Sequence, residues 1–411
     1  MNNHKNIFDV CIIGGGAAGL FCSVMIKRNN PALSVAIIER QKDVGKKLLA
    51  TGNGRCNLTN IFADKSMYHG SFKDGAAKVL DKCSPDMVID LFRELGLLTT
   101  NDAEGRVYPY SKHSSSVLDC LKLNCKKAGV EIFCNYHVTA ISKTNNKYNV
   151  KCLNDATFTS DILIIASGSK ATPETGADDS IFSTISKNLG HTITKLYPAL
   201  CPIPVKSKSL NSLKGVRATG KATILVDDKE IKSEIGEIQF TDKTLSGICL
   251  FNLSRIANTS VHSKIRLSLL PHMSIYEISE MLMQRASALP GNTSAEDLLC
   301  GIFQKKLSCA LLKDAGMHKD ATINNLCKNS IRRLATIINN WDFPVIPSDD
   351  FKRAQVVAGG IQGSEIDTET MESKKNKNLY IIGEAADCDG DCGGLNLQFA
   401  FSSAYCAAME L

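Results

Sequence analysis

"FDVCIIGGGAAGLFCSVMIKR", residues 8–28, is the stretch that decides the fold. Phe8 to Ile13 read as a buried strand, and the apolar spacing from Leu20 to Ile26 is helical. Between them Gly14, Gly16 and Gly19 fit G-x-G-x-x-G. That spacing is weak by itself, but a second strand-like run, "SVAIIE", ends on Glu39, twenty residues after Gly19. Strand, glycine turn, helix, strand and acid together are what a dinucleotide-binding unit requires. Gly14 permits the tight turn, Gly16 lets the main chain approach a pyrophosphate, and Gly19 lets helix pack on strand. The helix N-terminus favours phosphate charge, and Glu39 would accept from ribose hydroxyls.

The next segment chooses between FAD and NAD. "GKKLLATGNGRCN", residues 45–57, runs from a lysine pair into a loop of glycine and asparagine, where a nicotinamide-binding domain proceeds to another helix. Such a loop lets the backbone lie flat against a large planar ligand, with amides on a polar ring edge. An isoalloxazine ring extended from the pyrophosphate is the expected occupant, so FAD is the expected cofactor.

The rest of the chain organises around this unit. "SPDMVIDLFRELG" reads as a helix with Ser84 as N-cap, Pro85 in the first turn and Gly96 past its end. "SVLDCLKLNCKKAG" is a second helix, closed by Gly129, and "DILIIASG" a buried strand leading to Gly168 at its carboxyl end. From residue 192 short strands separated by turns replace the helices, and 274–340 return to helical spacing. The expected domains are therefore an FAD-binding domain, 1–191 with 363–411, an inserted β substrate domain, 192–273 with 341–362, and a helical sub-domain, 274–340. The C-terminal "NLYIIGEAADCDGDCGGLNLQFAFSS" repeats the N-terminal logic. A buried strand ends in Gly383, Asp387 follows in a loop, and Gly393–Gly394 open the last helix near Leu395 and Asn396.

Composition excludes several classes. The 411 residues carry 48 basic and 42 acidic side chains, net +6, with lysines spread along the chain, so nucleic acid is not an expected partner. No apolar run reaches the length of a membrane span and the start lacks a secretory pattern, so a cytoplasmic enzyme acting on a small molecule is expected. The 16 cysteines form no C-x-x-C pair, and no metal site is expected; "CDGDC" reads as a loop.

"GGGAAGL", "GKKLLATGNGRCNLTN", "EGRVYPYS", "SGSKATPETG", "EIQFTDKTLSG" and "YIIGEAADCDGDCGGLNLQFAFSS" occur in the order seen in one family, and the resemblance spans nearly the whole chain. The sequence resembles the bacterial aminoacetone-oxidase-like FAD-binding proteins, which include a steroid ene-reductase of bile-acid 7α-dehydroxylation. The resemblance implies an α/β fold. A Rossmann-like FAD-binding domain of the glutathione-reductase type would carry an inserted β-barrel-like domain and a small helical domain. By motif, FAD contacts fall on Gly14, Gly16, Ala18, Gly19, Glu39, Lys47, Gly52, Gly54, Arg55, Asn57, Gly383, Asp387, Gly394 and Asn396, with Arg40, Val138, Gly168 and Leu395 completing the set. The family often shows Tyr or Trp where Leu395 and Phe399 stand, commonly glycine at Thr244, and in some members histidine at Asp242, which bears on the substrate rather than the cofactor.

The implied chemistry is hydride transfer through flavin N5. The principal expectation is an NAD(P)H-dependent reductase of an activated C=C bond, such as a steroid (bile-acid) enone. An O2-using amine oxidase of aminoacetone type is one alternative; a non-catalytic or RNA-modifying flavoprotein is another. No second G-x-G-x-x-G follows a strand, so NADH or NADPH would dock over the flavin without a Rossmann domain of its own. The catalytic candidates are Arg55, Cys56 and Tyr108. Arg55 would hold anionic flavin or an acidic substrate. Cys56 is either redox-active or a packing thiol, and Tyr108 either donates a proton or lines the pocket. His113 and His191, without partner motifs, read as structural.

Overall fold

The computed structural model describes residues 6–411. Two compact units emerge, one running to Tyr197 and resuming at Asp350–Leu411, the other Pro198–Asp349.

The first unit is built on β1 (Asn6–Ile13), which lies between β2 (Val35–Glu39) and the strand Thr157–Ile165. Both pairings are parallel, with Ile13 opposite Ile38 on one side and Ile165 on the other. Glu131–Cys134 extends the parallel sheet beyond β2. Leu379–Ile381 pairs parallel with the carboxyl half of Thr157–Ile165, whose amino half pairs antiparallel with Lys147–Cys152. Helices cover a parallel sheet on both faces, which is why these strands are apolar throughout rather than alternating. Ile12, Ile37, Ile164 and Ile381 are all fully buried.

Helix α1 (Ala17–Asn29) packs against the terminal helix Leu395–Met409, with Phe21 and Phe401 ring centroids 5.1 Å apart. Neither helix has a polar face, as expected for helices inside a core. The buried polar side chains of the terminal helix are all paired. Gln398 Nε2 donates to the Cys83 carbonyl (3.0 Å), Ser402 Oγ to the same carbonyl (2.7 Å), and Ser403 Oγ accepts from Gly383 N (2.9 Å). The helix Pro85–Glu94 starts as read, Ser84 Oγ accepting from Met87 N at 3.3 Å.

The second unit holds a six-stranded antiparallel sheet that begins with Ile203–Pro204 and ends with Trp341–Pro344. Its two edges meet: Val205 bridges Val345, Lys206 N donates to the Pro344 carbonyl and Ile346 N to the Pro204 carbonyl, both at 2.8 Å. The sheet thus closes into a small barrel and leaves no free edge. Its apolar face and the helices Ile248–Thr259, Ile275–Ala288, Lys305–Asp314 and Lys328–Asn339 share one core.

In the first unit a Cβ built on Gly19 would stand 2.0 Å from the Gly14 carbonyl oxygen, so α1 can cross the end of β1 only where residue 19 has no side chain. Gly19→Ala is expected to cost about 1–3 kcal/mol of stability, read as a lower urea midpoint at unchanged slope.

Candidate functional site

The carboxyl ends of β1, Thr157–Ile165 and Leu379–Ile381 border a cleft, the crevice where open parallel sheets take ligands. Of the expected contacts, Gly14, Gly16, Ala18, Glu39, Arg40, Lys47, Val138, Gly168, Gly383 and Asn396 line it.

Gly14 has φ 109°, and a Cβ there would lie 2.4 Å from the Ala166 carbonyl oxygen, so the turn admits only glycine. Gly16 differs: its backbone is extended, and a Cβ there would meet nothing within 4 Å. It caps α1 without a side-chain bond to the first-turn amides, which therefore face the cleft unclaimed. Glu39 is held in place: Oε2 accepts from Gly15 N (2.8 Å) and Oε1 from Gln41 N (2.7 Å). Lone pairs remain on both oxygens for ribose hydroxyls. Arg40 does not offer its guanidinium to the cleft, because the group is bound to the Gly176 carbonyl and the Asp178 carboxylate.

At the other end Lys47 Nζ meets Glu384 Oε2 at 2.5 Å, while Glu384 Oε1 accepts from Val357 N at 2.9 Å. The sequence reading passed over Glu384, although an acid directly after a parallel strand end is the same signal that singled out Glu39. Asp387 is placed elsewhere than expected. Its carboxylate accepts from Ser71 N (3.1 Å) and packs on Gly70, so it fastens the 70–72 loop and does not line the cleft. Leu395 also turns away from the cleft, buried, its carbonyl accepting from Tyr68 Oη at 3.0 Å.

The "GNGRCN" loop has left-handed backbone at four residues, with φ of 57° at Gly52, 55° at Asn53, 81° at Gly54 and 57° at Cys56. Thr51, which opens it, lines the cleft; Gly52, Gly54, Arg55, Cys56 and Asn57 lie beyond the lining. Arg55 is exposed, its guanidinium 5.1 Å from the ring centroid of Tyr108, so the structure brings two catalytic candidates together. The third is set apart: Cys56 is fully buried and burial pushes its thiol up to about 12, the condition of an inert packing thiol. Gly394 rests on this loop, where a Cβ would lie 2.6 Å from the Thr59 carbonyl oxygen and 2.8 Å from Asn57 Oδ1.

Two buried polar atoms of this unit, Asn57 Oδ1 and Ser169 Oγ, have no hydrogen-bond partner among the described residues, and Ser169 lines the cleft. Buried polar atoms are rarely left so. With the open space at Gly16 and the unclaimed amides of α1, the Ser169 hydroxyl fits a bound dinucleotide. Among the described residues no group of His, Cys, Asp and Glu is placed to hold a metal ion, and no helix is long and apolar enough to cross a membrane.

His191 belongs to a chain that imitates a nucleophile relay: Nδ1 lies 2.9 Å from Glu365 Oε2 and Nε2 2.9 Å from Ser373 Oγ. Ser373 Oγ also accepts from Lys375 N (3.1 Å) and Asn376 N (2.9 Å), and both Ser373 and His191 are buried. The chain is a tether, and His191 is structural as read. Desolvation lowers the pKa of His191 below 6.5. Glu365 is drawn down to about 2, its hydrogen bonds from Lys375, Thr192 and His191 outweighing burial. Burial of neutral His191 therefore destabilises the fold progressively as pH falls through 6.5. The contribution of Glu365 is present above about 4.5 and lost as pH falls towards 2. In His191→Gln, the decline of the urea midpoint between pH 7 and 5 should flatten, while the decline below pH 4.5 persists.

The HI0933-like protein Rossmann domain family matches residues 8–410. A 3-dehydro-bile acid delta(4,6)-reductase of Clostridium scindens is 32% identical over 400 residues, covering 96% of this chain and 97% of that protein. Ribosomal RNA dihydrouridine synthases of Haemophilus influenzae and Escherichia coli are 27% and 26% identical, covering 97% and 98% of this chain and the same shares of those proteins.

Because Gly16 is open and extended, Gly16→Ala should leave the apoprotein within about 0.5 kcal/mol of wild type. The added methyl fills the space above the first turn of α1, so FAD affinity should fall at least about tenfold, measured by flavin-fluorescence titration.

Proposed function

We propose that this chain, which belongs to the HI0933-like Rossmann family and is an FAD-dependent oxidoreductase, is an NAD(P)H-dependent reductase of a C=C bond conjugated to a carbonyl, with a steroid (bile-acid) enone as substrate. The single observation that carries the reading is 32% identity, over almost the full length of both chains, to the bile-acid delta(4,6)-reductase. The two ribosomal RNA dihydrouridine synthases point to the same reaction type, since dihydrouridine is uridine with its ring C=C reduced.

When bound, FAD supplies hydride transfer between donor and substrate. The chain's own residues hold and orient it. The first-turn amides of α1 and the space at Gly16 take the pyrophosphate, Glu39 the ribose hydroxyls, and Lys47 with Glu384 the opposite end of the cleft. Gly383, Asn396 and the start of the terminal helix border that same end. Reduction of an enone adds hydride at the β-carbon and a proton at the α-carbon. Tyr108 is the proposed proton source, because its hydroxyl has no hydrogen-bond partner among the described residues and the Arg55 guanidinium lies over its ring.

A second reading keeps the reaction and exchanges the substrate for RNA. It is favoured by the two synthases, which match nearly the full length of this chain.

The test is an anaerobic spectrum of the FAD-loaded protein with NADH, NADPH and aminoacetone added separately. Bleaching by a nicotinamide, reversed by a 3-oxo-4,6-diene bile acid, is the expected outcome. Bleaching by aminoacetone alone, reversed by air, makes the protein an oxidase. Reoxidation by uridine-containing ribosomal RNA and not by the steroid selects the second reading.

A further inference from the structure

We propose that residues 169–178 form a strap across the adenosine half of the FAD cleft, latched by the ion pair of Arg40 and Asp178. The proposal rests on the assignment of the cleft to FAD. Sheet order carries it. The segment leaves the carboxyl end of Thr157–Ile165, on one side of β1, and reaches Arg40, next to the end of β2 on the other side. Its path between those two ends crosses the β1–α1 turn, where Gly14 and Gly16 border the cleft. A pyrophosphate at that turn, with its ribose at Glu39, would lie beneath it.

The segment has the anchors and bends of a strap. Near its start Thr172 N donates to the Phe351 carbonyl (3.0 Å), Thr172 Oγ1 to the Ala354 carbonyl (2.7 Å), and Lys170 Nζ lies 4.4 Å above the Phe351 ring. Left-handed residues bend it at Gly168 (φ 66°), Thr172 (φ 54°) and Gly176 (φ 91°). A β-branched residue is costly in that conformation, so tertiary contacts must hold Thr172 there. At the far end the guanidinium of Arg40 binds both the Gly176 carbonyl and Asp178, while Gly176 packs so closely on Gln41 that a Cβ would lie 2.4 Å from its side chain. Ser169, Thr175, Gly176, Ala177 and Asp178 present the underside to the cleft. The buried hydroxyl of Ser169, unpartnered among the described residues, is the group that would donate to the ligand.

FAD held beneath a closed strap leaves only when the strap opens, so breaking the latch should speed release. The pair is partly exposed, with side chains 26% and 35% accessible, so salt should also loosen it.

The experiment follows FAD release from the holoenzyme, diluted into an excess of a flavin scavenger, by the rise in flavin fluorescence at low and high salt. Arg40→Gln removes the cation. Asp178→Asn removes the charge but keeps the oxygen that accepts from Ser180 N (3.1 Å) and Ser180 Oγ (2.8 Å), so the following helix keeps its start. Each variant should release FAD about fivefold faster than wild type. Each should lose the salt acceleration seen in wild type, and the double variant should be no faster than the singles. Release within twofold of wild type in both variants, or faster release with wild-type salt sensitivity intact, would overturn the latch. A wild-type protein that takes up no FAD at all would overturn the cofactor assignment and the strap with it.

Discussion

The close approach of α1 to the end of β1 is the constraint on which the rest depends. With residue 19 reduced to a hydrogen, the first turn of the helix settles against the Gly14 carbonyl. That contact aims the free amides of α1 past Gly16 into the space beyond the sheet. The parallel strands on either side end at the same level, and three chain segments from distant parts of the sequence border one cleft. A bulkier residue at 14 or 19 would lift helix from strand and lose both the crevice and the dipole that serves it.

Electrostatics divides the cleft. At the β2 end Glu39 is fixed by two backbone amides and stays available to hydroxyls, while Arg40 is spent on the 176–178 segment. At the opposite end Lys47 and Glu384 compensate each other, so the region in which the ring is proposed to lie is polar without a large net charge. Outside the cleft the "GNGRCN" loop carries Arg55 over Tyr108, a cation without a carboxylate partner among the described residues.

Where sequence reading succeeded, the signal was local. Strand, glycine turn, helix and acid occupy thirty-odd consecutive residues, and each glycine's task follows from spacing; Gly14 makes the turn and Gly19 the close helix–strand contact that spacing implied. The left-handed φ values in "GNGRCN" fall mostly on its glycines and an asparagine, residues that accept them. Where it fell short, two residues with the same type and a similar neighbourhood had different partners. Asp387 and Glu384 both follow the strand Leu379–Ile381 in an apolar stretch, yet Glu384 faces the cleft while Asp387 fastens Ser71. The difference lies in the 70–72 loop, some three hundred residues upstream, and no pattern around either acid reports it.

The sequence by itself determined the dinucleotide unit and the apolar helices of the core, because these follow from periodicity and backbone permissiveness along short stretches. The strand spacing from residue 192 and the helical spacing after 274 were legible too, but the helix Ile248–Thr259 set among those strands was not. Only the tertiary structure decided that the strands close through Val205 and Val345, that Cys56 is sealed from chemistry, that Arg55 meets Tyr108, and that Arg40 faces Asp178 rather than the cofactor space. Each of these depends on which distant segments come together. That is settled by the burial of the whole core and not by the residues that end up touching.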